Sequence, residues 1–187
     1  MKKHVLVWLL TAALLAGAWV VSKVTLPDDA ATAAFPRVTR IGEEAAVRNL
    51  VVTITDVRLA DRVEDADGWS ADGTWLVVDL EAASAVTQDL STLSLAQLTI
   101  GDRTFSATDR GTTFAQQRLV TGVPRAGSLA FELPDDVTDD RATLRLGVAG
   151  AGIGEVLLDG VVDLPLDLAD LPVEAAILLD ENGWARR

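Results

Sequence analysis

Beyond residue 23 the chain has no histidine, cysteine, lysine or tyrosine. His4 is its single histidine, and Lys2, Lys3 and Lys23 are its only lysines. Each absence removes a class of chemistry. Ser-His-Asp, Cys-His and Ser-Lys catalysis are excluded from the body of the chain. Histidine- and thiolate-based metal centres are excluded with them. Without cysteine there is no disulfide framework and no lipid-modified cysteine behind a leader, so the hydrophobic core carries the fold unaided. A domain of roughly 100–150 residues is large enough for that. Positive charge is scarce too. Setting aside the three lysines leaves 13 basic residues, all arginine, against 28 acidic ones, a net of −15. Nucleic-acid binding needs a basic footprint, and this balance argues against it.

What is present begins with one long apolar run. Val5–Val21 is 17 uncharged residues preceded by Lys2, Lys3 and His4. As a helix it would span ~25 Å, a little short of a ~30 Å hydrocarbon core, with His4, Ser22 and the stem of Lys23 covering the deficit. The reading is a retained signal anchor over residues 1–23. The flanking lysines place Met1 in the cytoplasm and residue 24 onward outside, as a single-pass plasma-membrane protein with an extracellular domain. The alternative is a cleaved leader, because Ala16-Gly17-Ala18 matches a small-residue cleavage site.

Residues 24–43 hold Pro27, Asp28, Asp29, Pro36 and an alanine-rich stretch, and read as a linker. From about residue 47 the pattern becomes alternation of period two, the mark of half-buried strands. Val52 and Ile54 share a face, and Val57 and Leu59 follow out of phase, so a bulge is expected at Thr55-Asp56. Leu76, Val78, Leu80 and Ala82 point one way, Asp79 and Glu81 the other. Leu98–Ile100 runs into Gly101-Asp102, a type II′ hairpin signal. Leu129, Phe131 and Leu133 alternate before Pro134, as do Ala142, Leu144, Leu146 and Val148. Leu158–Val161 reads as a type I′ hairpin, Pro165 assigns its strand to an edge, and a last strand covers Glu174–Leu179. Eight or nine short strands in about 135 residues, with no amphipathic helix, imply an all-β antiparallel sandwich or barrel. The domain is expected over residues 44–180, with a tail at 181–187.

Residues 41–146 resemble a telokin-like, immunoglobulin-like family of bacterial exported domains, of actinobacterial type and mostly unknown function. The resemblance lies in Leu50-Val51-Val52-Thr53-Ile54-Thr55-Asp56-Val57, in Gly73-Thr74-Trp75-Leu76-Val77-Val78-Asp79-Leu80, and in Pro124–Pro134. It departs where Ala83-Ser84 stand in place of the usual asparagine, and where Pro124-Arg125 replaces Pro-Gly. It implies an antiparallel immunoglobulin-like β-sandwich behind an N-terminal transmembrane helix, and no catalytic residues.

The densest acidic stretch is the loop Asp61–Gly73. Asp65, Asp67 and Asp72 are hard oxygen ligands, and Gly68 and Gly73 permit tight turns, as Ca²⁺ loops require. The spacing lacks the EF-hand pattern, and the loop reads as a solvated connection. Trp69 reads as folded back on the sandwich edge, with an exposed recognition anchor as the alternative. Trp75 reads as core. Trp184-Ala185-Arg186-Arg187 reads as a frayed end, with contact to a partner or the bilayer surface as the alternative. No catalytic, cofactor-binding or metal residue is assigned. The expected function is a non-catalytic protein-interaction module at the cell envelope, anchored through the N-terminal helix and bound to an envelope or membrane protein not yet identified. The alternatives are a secreted ligand- or ion-binding protein and a carboxylate-based hydrolase.

Overall fold

Strands that are apolar on alternate residues need a second layer to cover the apolar face, and two stacked sheets supply it here. The computed structural model describes residues 35–87, 91–134, 141–148 and 160–185, with residues 4, 7, 8, 11, 13–17 and 19 of the N-terminal segment. The chain divides into two units, Met1–Ala33 and Ala34–Arg187. In the first unit the described residues are helical and exposed. Among the described residues no helix is long and apolar enough to cross a membrane.

The second unit is a β-sandwich. Its strands are β1 (Phe35–Val38), β2 (Glu44–Val47), β3 (Leu50–Glu64), β4 (Ser70–Ala83), β5 (Leu93–Ile100), β6 (Arg103–Ser106), β7 (Arg125–Leu133), β8 (Arg141–Val148), β9 (Gly160–Asp167), β10 (Val173–Glu174), β11 (Ile177–Leu178) and β12 (Gly183–Trp184). One sheet runs β1-β9-β8-β5-β6, the other β10-β3-β4-β7-β12, with β2 and β11 also on β3. β6 packs against β7 at one flank and β2 against β9 at the other, so β1 and β12 edge opposite flanks. The inward residues of β4, β7 and β8 are the alternating sets read from the sequence: Leu76, Val78, Leu80 and Ala82; Leu129, Phe131 and Leu133; Ala142, Leu144, Leu146 and Val148.

Several local expectations meet their structure. The pairing of β3 with β4 shifts between Ile54 and Asp56, the expected bulge. Gly101 takes φ 58° between β5 and β6, as the first central residue of a type II′ turn does.

Others are corrected. The sandwich is not purely antiparallel: β1 runs parallel to β9, and β10 and β11 run parallel to β3. Chain segments far apart in sequence can lie parallel because no short turn has to join them. β1 falls in the stretch expected as linker, and β12 in the stretch expected as tail. β9 is internal rather than an edge strand, but Pro165 still limits its pairing. Thr39 N–H donates to Asp163 O at 3.0 Å, and the next bond of a parallel ladder would need an N–H on residue 165, which proline lacks. The expected strand at Glu174–Leu179 is broken into β10 and β11. The type I′ hairpin at Leu158–Val161 lies partly outside the described residues.

β4 is buried on both faces from Trp75 to Leu80. Two features explain the second covering. The β3–β4 hairpin bends at a second register shift, between Ala60 and Arg62, and opposite it at Gly73, whose φ of 143° suits glycine. The segment after β9 then crosses the outer face as a strap. Leu179 N–H donates to Glu64 O at 2.8 Å and Asp180 N–H to Ser128 Oγ at 2.9 Å. Adjacent amides thus tie the strap to both the end of β3 and β7. A second apolar cluster fills the space beneath: Ala60, Val63, Trp75, Val77, Ala130, Ile177 and Leu179.

Candidate interaction surface

The acidic loop is a structural fastener. Asp65 is 6% exposed. Its Oδ1 accepts the amides of Asp67 at 3.0 Å and Trp69 at 2.8 Å, and its Oδ2 that of Thr112 at 2.8 Å. Burial works to raise its pKa, but the amides of Thr112, Trp69, Asp67 and Gly68 outweigh it and hold the carboxyl below its ordinary value. Asp67 Oδ2 accepts Thr112 Oγ1–H at 2.6 Å, while Asp72 pairs with Arg62 at 2.8 Å. The three carboxylates named in the sequence are therefore spent on amides, a hydroxyl and an arginine. Among the described residues no group of three or more His, Asp or Glu side chains is placed to hold a metal ion.

Fastening this loop to residues 108–112 positions two tryptophans. Trp69 is half-buried and meets fully buried Trp75 edge-to-face, ring centroids 6.1 Å apart at 87°. Arg110 lies 5.9 Å from the Trp69 ring and 5.6 Å from the Trp75 ring, and pairs with Glu132. Gly111, at φ 70°, sits so close that a Cβ would lie 2.6 Å from the Trp69 ring. Trp69 is thus folded back onto the sheet. Trp75 is buried as expected, but beneath the hairpin tip and strap rather than between the sheets.

Asp79 departs furthest from simple alternation. It points away from the intersheet core, yet it is only 8% exposed, because the strap covers it. It pairs with Arg58 and accepts Ser128 Oγ–H at 2.5 Å. Arg58 also reaches Glu174 on the strap at 3.2 Å and Asp56 at 3.0 Å. Desolvation works to lower the Arg58 pKa, but Asp79 and the other carboxylates outweigh it, and the guanidinium stays charged. Buried hydroxyls are engaged in the same way. Ser84 and Ser91 are fully buried and bond Asn49 at 3.0 and 2.9 Å.

One set of exposed residues suited to recognition gathers where the strap ends. β12 pairs Gly183 with Ala126 and Trp184 with Arg125, and it is the terminal strand of its sheet. Trp184 is 64% exposed, with the Arg125 guanidinium 6.0 Å from its ring. Arg125 is held by Gln117 Oε1 at 3.4 Å and Arg118 O at 3.0 Å, which leaves the Arg118 side chain exposed beside it. The loop that carries Gln117 and Arg118 has Gln116 at φ 57°, the one non-glycine residue at positive φ among the described residues. In the sequence Trp184 reads as part of a frayed aromatic-basic tail, with partner contact as the alternative. Arg118 and Arg125 carried no signal, because isolated arginines in an arginine-only chain do not stand out. Arg186 and Arg187 lie outside the described residues.

No family model and no curated protein matches the sequence. Two solved structures share a loose likeness with it. A candidate lipoprotein from Bacillus subtilis is 16% identical with a TM-score of 0.43, and the match covers 68% of this chain and 39% of that one. This chain therefore spans well under half of that protein. An uncharacterised β-sandwich protein from Clostridium difficile is 12% identical with a TM-score of 0.45, and the match covers 71% of this chain and 95% of that one.

Proposed function

We propose that the chain is a membrane-anchored, extracytoplasmic domain of immunoglobulin-like type that acts as a non-catalytic protein-interaction module at the cell envelope. The anchor in this reading is the Val5–Val21 run, and the domain faces outward behind it. The observation that carries the interaction role is Trp184. It stays on the surface while Trp69 and Trp75 are consumed in packing. Tryptophan and arginine are the residue types that most often anchor protein interfaces, and Trp184 and Arg125 are adjacent here. Exposed Arg118 beside them favours a partner that offers carboxylates around an apolar pocket. The non-catalytic part rests on the buried polar groups: Asp65, Asp79, Ser84 and Ser91 each serve the fold through bonds to amides, arginine or amide side chains.

Affinity capture from detergent-solubilised membranes tests this, with the full-length wild type and the Trp184→Ala variant as baits. A protein enriched by wild type and lost with the variant supports the role. Equal enrichment by both contradicts the assigned surface. N-terminal sequencing of the same material separates the two fates of the leader. A start at Trp19 favours a secreted ligand- or ion-binding protein, which Ala16-Gly17-Ala18 allows.

A further inference from the structure

The flank opposite β12 ends in β1, and it carries exposed apolar and basic side chains close together. Phe35 is 82% exposed, Val38 63% and Ile41 45%, three large apolar side chains within seven residues. Arg37 and Arg40 lie among them and are exposed. Residues 30–42 contain these two arginines and no acidic residue, with exposed Glu43 and Glu44 following, in a domain (34–187) of net charge −13. β1 is also the terminal strand of its sheet, and among the described residues no strand pairs with its outer edge.

We infer that β1 and the turn after it seat edge-on against anionic phospholipid headgroups. The inference rests on the anchored reading above and specifies which face of the domain meets the membrane. Three physical features point to lipid. First, arginines gain from the negative potential of an anionic bilayer only within a Debye length, where each is worth ~1 kcal/mol. The acidic faces of the domain are repelled from that surface, and the tether to the apolar run makes this flank, rather than the basic one at β12, the one that meets it. Second, Phe35, Val38 and Ile41 supply apolar area to the headgroup–acyl boundary, where basic and aromatic residues combine to bind interfaces. The open edge of β1 keeps the seat shallow, because its unpaired N–H and C=O groups need phosphate oxygens and water that the hydrocarbon lacks. Third, among the described residues β1 is the first strand after the apolar run, separated from Lys23 by residues 24–34. Those eleven residues reach at most about 40 Å when extended, which keeps β1 at high effective concentration over the bilayer. Lipid is favoured over a protein partner on this edge because the tether holds Arg37, Arg40 and their apolar neighbours within reach of the bilayer.

The chain has no cysteine, so a single introduced thiol reports one position. Full-length Val38→Cys and, as control, Leu178→Cys on β11 are labelled with an environment-sensitive fluorophore. Each is reconstituted into vesicles of phosphatidylcholine alone or with phosphatidylglycerol, with and without headgroup-level spin-labelled lipid. The expected result is a blue shift and quenching at 38, dependent on the anionic lipid and reversed by salt, with neither at 178. Replacing Arg37 and Arg40 by glutamine lowers the seated-to-free ratio about fivefold per arginine, the equivalent of ~1 kcal/mol each. A label at 38 that stays as unquenched as at 178, on a chain that floats with the vesicles through an alkaline wash, overturns the seat and leaves the anchor standing. A chain that washes off refutes the anchor. The seat is then read with the chain added to vesicles from solution, where an anionic-lipid-dependent blue shift at 38 supports it and no shift overturns it.

Discussion

Arg58 and Asp79 form an ion pair on the outer face of the β10-β3-β4-β7-β12 sheet, and the strap that covers them contributes Glu174 to the same guanidinium. Ser128 Oγ bridges the pair to the Asp180 amide, so one polar network ties β3, β4, β7 and the strap together. Asp79→Ala leaves Arg58 with more exposed partners and Ser128 without its acceptor. The expected loss of stability is about 2–3 kcal/mol, below that of a fully buried pair because Arg58 retains some solvent. Ser128→Ala is expected to cost about 1–2 kcal/mol. Urea denaturation of both variants checks the order.

Gly127 tests how closely the strap approaches the sheet. A Cβ at this position would lie 2.4 Å from Asn182 Oδ1 and 2.6 Å from Phe114 Cδ2. Asn182 can swing away, but Phe114 is fully buried and cannot. Gly127→Ala is expected to destabilise the domain by about 1–3 kcal/mol and to displace the strap, because the Asn182 bond to Thr113 O at 2.7 Å is lost. Faster amide exchange at Leu179 and Asp180 is the accompanying sign.

Asp65 gives a pH signature. Its folded pKa lies below the unfolded carboxylate value of about 3.9, so its contribution is complete above that value and is lost as pH falls through the lowered one. Asp65→Asn is expected to melt lower than wild type at neutral pH, by an amount constant down to about pH 5. The gap then narrows in more acid solution. Thermal melts of the pair from neutral to strongly acid pH measure it, and a gap that widens on acidification contradicts the role.

The strap also shields Trp75. A chain ended after Pro172 lacks Ile177 and Leu179, which cover the Trp75–Val77–Ala130 face. Losing two buried aliphatic side chains from one cluster is expected to cost at least about 4 kcal/mol. Relative to a full-length Trp184→Phe reference, tryptophan emission shifts to the red and a hydrophobic dye binds. Unchanged emission would place the strap elsewhere.

The intersheet core was legible because it is a local pattern. The alternations of Leu76–Ala82 and Ala142–Val148 need only one buried face, and the structure gives them one. Asp79 shows where that logic stops. Alternation sends it outward, and outward ordinarily means solvent, but a strap about 100 residues later in the chain covers it. β1 was read as linker for the same kind of reason, since its partner β9 lies over 120 residues away and four residues carry too little pattern. The acidic loop was visible as a cluster, but not its use, because the amide of Thr112 that claims Asp65 comes from another segment. The candidate surface was half legible. Trp184 stood out as a residue, but its pairing with Arg125 depends on where the strap ends.

The most direct test of the interaction role is photo-crosslinking in intact cells, with a photoreactive amino acid at position 184 of the full-length protein and, as control, at Val173, which is 66% exposed on β10 at the opposite edge of the sheet. The account predicts one discrete crosslinked species from position 184, absent from 173 and lost when Arg118 and Arg125 are replaced by glutamate. No discrete species from 184, or the same species from both positions, would contradict it.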